Sequence, residues 1–105
     1  MARFSFVVYS NPMKGREQEY NDWYSNQHLK DLLAIPGVIS ARRFKLSGTQ
    51  IRDVAQTYQY LAIYDIEADD VASFIKEMTL RTANGVIARS TAMSSDLLAL
   101  FWEAL

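Results

Sequence analysis

The clearest sign of the fold is the stretch from Thr57 to Ile66, which reads TYQYLAIYDI. Apolar residues fill both sets of alternating positions, and alternate side chains of a β-strand point to opposite faces. One face carries Tyr58, Tyr60, Ala62, Tyr64 and Ile66, and the other carries Gln59, Leu61, Ile63 and Asp65. A strand with one solvated face alternates apolar and polar residues. We therefore expect a strand whose two faces are both covered.

Segments on either side of this strand predict three more strands and two helices. Strands are predicted over 3–9, 38–46 and 97–103, and helices over 16–33 and 70–82. Over residues 97–103 the composition favours a helix. A strand is preferred there because three strands would leave one face of the core poorly closed. Asp69 is the expected N-cap of the second helix. The order β-α-β-β-α-β predicts an α+β, ferredoxin-like fold, with a four-stranded antiparallel sheet and two helices on one face.

The first predicted helix carries two apolar stripes on nearly opposite sides. One stripe contains Tyr20, Trp23 and Tyr24, and the other contains Leu29, Leu32 and Leu33. At 3.6 residues per turn, a straight helix lying on a sheet cannot bury both stripes. We therefore predict a kink, a break or a second contact near residues 26–28.

Composition excludes several classes of function. The 105 residues suit one domain spanning 1–105. The chain has 11 basic and 12 acidic residues and a net charge of -1. It therefore lacks the excess of basic residues that is typical of a nucleic-acid-binding protein. Cysteine is absent and histidine occurs once, which excludes disulfides and the usual zinc and iron–sulfur sites. No metal and no cofactor are expected. No apolar run is long enough to span a membrane, so we expect a soluble, cytoplasmic protein.

The second apolar face of the sheet needs a cover. A ligand, another domain or a second subunit could supply it. Because the chain is expected to form one domain, a homodimer is the simplest cover.

Two stretches resemble a known group of proteins. Residues 20–38 read YNDWYSNQHLKDLLAIPGV, with an aromatic pair, a histidine and a Pro-Gly turn before a strand. This combination resembles the dimeric α+β barrel superfamily and, within it, the EthD-like proteins. Residues 60–66 are similar to their third strand. The resemblance implies a dimeric α+β barrel that binds a small molecule. The superfamily includes cofactor-free monooxygenases, isomerases, cyclases, dehydratases and haem-binding enzymes.

His28 is the candidate catalytic residue. It is the one side chain whose ordinary pKa lies near neutrality, and it occupies the position of the helix histidine in the resemblance. It could act as an acid or base, or donate to a substrate oxygen. Its structural alternative is a hydrogen bond to Asp31 or a nearby carbonyl. Trp23 and Tyr24 could form the wall of a substrate site, or simply pack in the core.

Three further residues are candidates for substrate binding. Tyr60 and Tyr64 could donate to a substrate oxygen, or pack in a dimer interface. Arg42 and Arg43 are adjacent in a strand and must face opposite sides. Arg42 is the preferred candidate for binding an anion, and an ion pair with Asp65 or Glu67 is its alternative.

Three classes of function are compatible with these features. The first is a cofactor-independent enzyme acting on an oxygenated apolar or aromatic metabolite, with His28 as its acid-base group. The second is a non-catalytic homodimer that binds a metabolite. The third is RNA binding, because Tyr58, Tyr60 and Tyr64 could stack bases, but the basic surface is missing.

Overall fold

Four strands form one antiparallel sheet in the order β2-β3-β1-β4. The computed structural model describes residues 1–105. The strands are β1 (Ala2–Ser10), β2 (Val38–Lys45), β3 (Tyr60–Ala68) and β4 (Leu98–Glu103). The helices are α1 (Glu17–Trp23), a π-helical turn (Tyr24–His28), α2 (Leu29–Leu33) and α3 (Val71–Ala83). The predicted ferredoxin-like α+β fold is confirmed, including a strand at the C-terminal end.

The core lies between the helices and one face of the sheet. Its central ring is Phe6, which stacks on Tyr64 of β3 and on Phe101 of β4, with centroids 5.9 and 4.3 Å away. Phe74 of α3 contacts Phe4 edge-to-face. Alternate residues of β1 and β3 are buried, as their two-residue period requires.

The predicted break in the first helix is a π-helical turn at Tyr24–His28. A π turn has i→i+5 hydrogen bonds, so it accommodates one more residue than an α turn. Because the π turn holds this extra residue, the aromatic stripe before it and the leucine stripe after it fall on the same side of the helix. Tyr20, Tyr24 and Leu32 are consequently all buried against the sheet, whereas Leu33 stays partly exposed.

Two predicted boundaries were wrong. β3 begins at Tyr60 because the Asn11 side chain bonds the carbonyl of Thr57 and the amide of Gln59, which removes both groups from the ladder. The N-cap of α3 is Asp70, not Asp69, since its carboxylate accepts from the Ser73 amide at 2.6 Å.

The opposite face of the sheet carries no helix and remains partly apolar. Cross-strand register places Leu100, Val7, Ile63 and Arg42 in one row, and Leu98, Tyr9, Leu61 and Phe44 in the next. A third row contains Trp102, Ser5, Asp65 and Ser40. We call these twelve residues the open face. Trp102 is 56% exposed and Leu100 38% exposed. No helix has the length and hydropathy needed to cross a membrane.

Candidate functional site

A pocket of about 410 Å³ lies between the helices and the covered face of the sheet. This volume falls within the range of small-molecule sites. β1 and β4 form its floor, while the π turn, α2, α3 and the segment after α3 form its walls. Most of the lining is apolar. The side chains with polar atoms are Tyr24, His28, Thr79, Thr82 and Arg89.

The π turn brings His28 to this pocket and packs it between two aromatic rings. The imidazole stacks on Trp23, with centroids 4.6 Å apart and planes inclined by 27°. Tyr24 meets the imidazole edge-on at 4.9 Å. His28 also lines an adjoining cavity of about 280 Å³, to which Trp23 contributes. The aromatic pair and the histidine singled out from sequence therefore form one cluster.

Burial keeps the His28 imidazole neutral. Desolvation lowers its pKa from 6.5 to about 4, and Arg43 acts in the same direction, while Asp31 and the Ala88 backbone oppose the shift. The buried Nδ1 atom has no hydrogen-bond partner in the chain. A neutral imidazole has one nitrogen that donates and one that accepts, so the tautomer determines whether the remaining nitrogen, Nε2, donates to an oxygen or receives a proton.

Asp31 anchors the segment that closes the pocket and forms no hydrogen bond to His28. Its carboxylate accepts from the Gln27 side chain at 2.8 Å and from the Ala88 amide at 2.9 Å. The second bond fixes the chain after α3 against α2. Ile87 is thereby buried and becomes part of the pocket wall.

Tyr24 and Tyr64 form a buried phenol pair behind the pocket. Desolvation raises the pKa of Tyr24 to about 12, and it also raises the pKa of Tyr64, to which the neighbouring Tyr24 adds. Both phenols are therefore protonated at neutral pH. Tyr24 lines the pocket, whereas the fully buried Tyr64 lies beneath it, and its hydroxyl has no hydrogen-bond partner in the chain.

Tyr60 belongs to a second cluster, centred on Arg43. The Arg43 guanidinium lies over the rings of Tyr24, Tyr20 and Tyr60, at 4.5, 5.3 and 5.5 Å from their centroids. It also donates to Asn21 and Ser25 side chains at 2.9 Å. Tyr60 and Tyr64 both face the helices, so neither is available to stack a base on the open face.

Arg42 lies on the open face, on the other side of the sheet from His28. It forms the ion pair with Asp65 that the sequence offered as its alternative role, with a distance of 3.6 Å. Ser5 and Ser40 donate to the same carboxylate, and these two hydrogen bonds, with Arg42, hold the pKa of Asp65 below its usual value. The structure therefore does not bring Arg42 together with the other candidate residues.

The pocket residues that follow α3 were not predicted from the sequence. Ile87, Arg89 and Met93 line both the main pocket and the adjoining cavity. They lie in a segment without regular secondary structure, and Met93 pairs with Pro12 in an isolated bridge. No periodicity marks such residues, because distant contacts alone decide where an irregular segment lies. One signal was available: Arg89 is a lone cation within an uncharged stretch from Thr82 to Ser95.

Neither protein-family models nor curated proteins match the sequence. Several solved structures do resemble the fold. An EthD family protein from Bacillus halodurans has 14% identity and a TM-score of 0.61, with 100% of both chains covered. A DABB family protein with a ferredoxin-like fold from Mesorhizobium loti has 16% identity and a TM-score of 0.68, covering 100% of this chain and 99% of its own.

A third similar structure is a dimeric ferredoxin-like protein of unknown function from Thermobifida fusca. It has 15% identity and a TM-score of 0.58, and the match covers 98% of this chain and 92% of that one. At such identities the likeness concerns the fold alone. The chain thus has the ferredoxin-like fold seen in EthD family, DABB family and dimeric ferredoxin-like proteins.

Proposed function

We propose that the chain is a cofactor-independent enzyme that acts on an oxygenated apolar or aromatic metabolite, with His28 as its acid-base group. The observation that carries the proposal is the neutral, largely buried imidazole in the wall of an apolar pocket of about 410 Å³. The EthD family and DABB family structures share the fold that forms this pocket.

The pocket binds the apolar body of the substrate, and its few polar groups orient the oxygen atoms. Trp23 and Tyr24 fix the imidazole plane by ring contacts. Such packing limits the reorganisation needed during reaction. The pKa of about 4 leaves little imidazolium at neutral pH. His28 therefore begins the reaction neutral, either taking a proton from the substrate or donating its N–H to a carbonyl oxygen that gains negative charge.

A chromogenic probe tests the base. Nitrobenzisoxazole loses its ring C–H proton to a base while the N–O bond breaks, which gives a coloured cyanophenolate. The wild-type protein is expected to accelerate this reaction, with a rate that rises with pH and levels off above the imidazole pKa of about 4. His28→Gln should reduce the rate to background, and Arg52→Met, an exposed loop control, should leave it unchanged. An undiminished rate in His28→Gln would remove the role given to His28.

A non-catalytic metabolite-binding protein is the second candidate. One observation favours it: beyond Tyr24 and His28, the polar groups of the main pocket are only Thr79, Thr82 and Arg89, none of which is activated as a nucleophile. This function requires ligand binding without turnover. If wild type and His28→Gln bind nitrobenzisoxazole equally well and neither accelerates its ring opening, the non-catalytic function is favoured.

We also propose that the protein acts as a homodimer joined through the open face. Leu98, Leu100 and Trp102 are each more than a third exposed there, beside Val7 and Ile63. An apolar sheet surface of this kind is unusual for a monomer. The dimeric state named for the Thermobifida fusca protein, which has the same fold, supports dimerisation.

A further inference from the structure

We propose that Arg89 makes the pocket selective for anionic ligands, so that the substrate is an apolar or aromatic acid or phenolate. This inference rests on the proposed function, because it requires a small molecule in the pocket beside His28. It adds the charge of that molecule and the residue that recognises it.

Arg89 is the only ionised side chain in the lining of either cavity. It lines the main pocket and the adjoining cavity, and neither lining includes an aspartate or a glutamate. His28, the other titratable base there, is neutral at physiological pH. The lining therefore carries one positive charge beside a largely apolar interior, and the Asp31 carboxylate, which is bonded to the Ala88 amide, lies outside both linings. That charge attracts an anion more strongly than a neutral ligand and repels a cation.

The Arg89 guanidinium has no partner of its own. It forms neither an ion pair nor a hydrogen bond within the chain, so all its donors are available. Other arginines that lie along the sheet or helices are engaged with acids or tyrosine rings: Arg3, Arg16, Arg42, Arg43 and Arg81. A planar guanidinium binds a carboxylate with two parallel hydrogen bonds, which orients the ligand as well as attracting it.

The position of Arg89 also determines how the ligand lies. Arg89 is exposed at the pocket rim, and it shares the wall common to both cavities with His28 and Thr82. The anionic group would stay at the wet rim, and the apolar body would extend towards Phe6 and Leu32. An oxygen or acidic C–H next to the anionic group would then lie beside His28. Asp31 holds this arrangement through its bond to the Ala88 amide.

Two fluorescent probes of matched shape test the inference. Anilinonaphthalenesulfonate is anionic, and phenylnaphthylamine is its uncharged parent. Titrations of both are made with wild type, Arg89→Met, Arg89→Lys and the exposed control Arg52→Met. The imidazole NMR signal of the single histidine is followed in parallel, because its shift locates each probe at the pocket rather than on the open face.

We expect wild type to prefer the anionic probe, and Arg89→Met to lose about three- to tenfold in affinity for it. Its affinity for the neutral probe should not change. Arg89→Lys should recover part of the loss, and Arg52→Met should match wild type. If Arg89→Met weakens both probes equally, or neither, while the His28 signal still shifts, the anion preference is overturned and the pocket assignment stands. If neither probe moves the His28 signal, the anion preference and the pocket assignment are both overturned.

Discussion

The His28 imidazole stacks on the Trp23 indole, with the two ring centroids 4.6 Å apart. The two residues are five apart in sequence, and the i→i+5 turn of the π-helix brings them together. This contact encloses the imidazole and keeps it from water. The turn that aligns two apolar stripes against the sheet therefore also creates the environment of the candidate catalytic group.

Burial of His28 predicts a specific pH dependence of stability. The folded pKa of about 4 lies below the ordinary value of 6.5, so the unfolded chain binds more protons between these values. The free energy of unfolding should be fully retained above pH 6.5 and fall as the pH drops towards 4, by about 3 kcal/mol from this group. Denaturant unfolding of wild type and His28→Gln between pH 4 and 6.5 measures this loss of unfolding free energy.

In His28→Gln the fall between pH 6.5 and 4 should be smaller by that amount. Carboxylates whose pKa is lowered, such as Asp65, are common to both proteins and cancel in the difference. Parallel curves for the two proteins would mean that His28 is not buried in a neutral form.

Arg43 should contribute more to stability than its strand position suggests. Its guanidinium contacts three tyrosine rings and donates two side-chain hydrogen bonds. Arg43→Met should therefore lower the free energy of unfolding by about 2–3 kcal/mol. Arg43→Lys should restore less than half, since an ammonium lacks the planar fork. Arg52→Met, in an exposed loop, should change it by less than about 0.5 kcal/mol. Comparable losses at both positions would refute the role of the tyrosine cluster.

The π turn should tolerate deletion of one residue. Asn26 is exposed, and its side chain makes no hydrogen bond. Without it, a regular α-helix would still direct Tyr24 and Leu32 to the sheet. We expect the deletion of Asn26 to lower the free energy of unfolding by less than about 1 kcal/mol and to displace the His28 ring. Deletion of exposed Lys76 in the regular α3 should cost more than about 2 kcal/mol, because it rotates Phe74 and Met78 apart. Equal losses would contradict this account of the π turn.

The proposed dimer predicts different outcomes for two similar substitutions. Leu100 and Leu80 are both partly exposed in the chain, but only Leu100 lies on the open face. Sedimentation at micromolar concentration should give twice the 12.0 kDa chain mass for wild type and Leu80→Lys. Leu100→Lys should shift the protein towards the monomer, because a buried unpaired ammonium is costly. A monomeric wild type, or a dimer unaffected by Leu100→Lys, would count against this interface.

The parts of the fold with strong periodicity could be predicted from the sequence. The alternation in β3 and the two misaligned stripes on either side of His28 were sufficient to predict the sheet and the helix break. Which of Arg42 and Arg43 faces the helices could not be predicted in the same way. A β-bulge between Val38 and Ser40 changes the parity of β2, so Val38 packs with the core while Ser40 and Arg42 turn to the open face.

The candidate site was predictable only where it is built on helix. Trp23 ends α1, and Tyr24 and His28 lie in the π turn that follows directly, so their spacing along the helix is informative. Arg89 and Ile87 reach the pocket through an irregular segment that Asp31 fixes from a distant helix. A tertiary contact of this kind leaves no local pattern in the sequence.

The most direct test of the account is an NMR pH titration of the single imidazole, repeated with the anionic probe bound. We expect the imidazole to titrate with a midpoint near pH 4 in the free protein, and we expect the bound probe to displace the His28 signal. A midpoint near the ordinary 6.5, with a signal that the probe does not move, would contradict it.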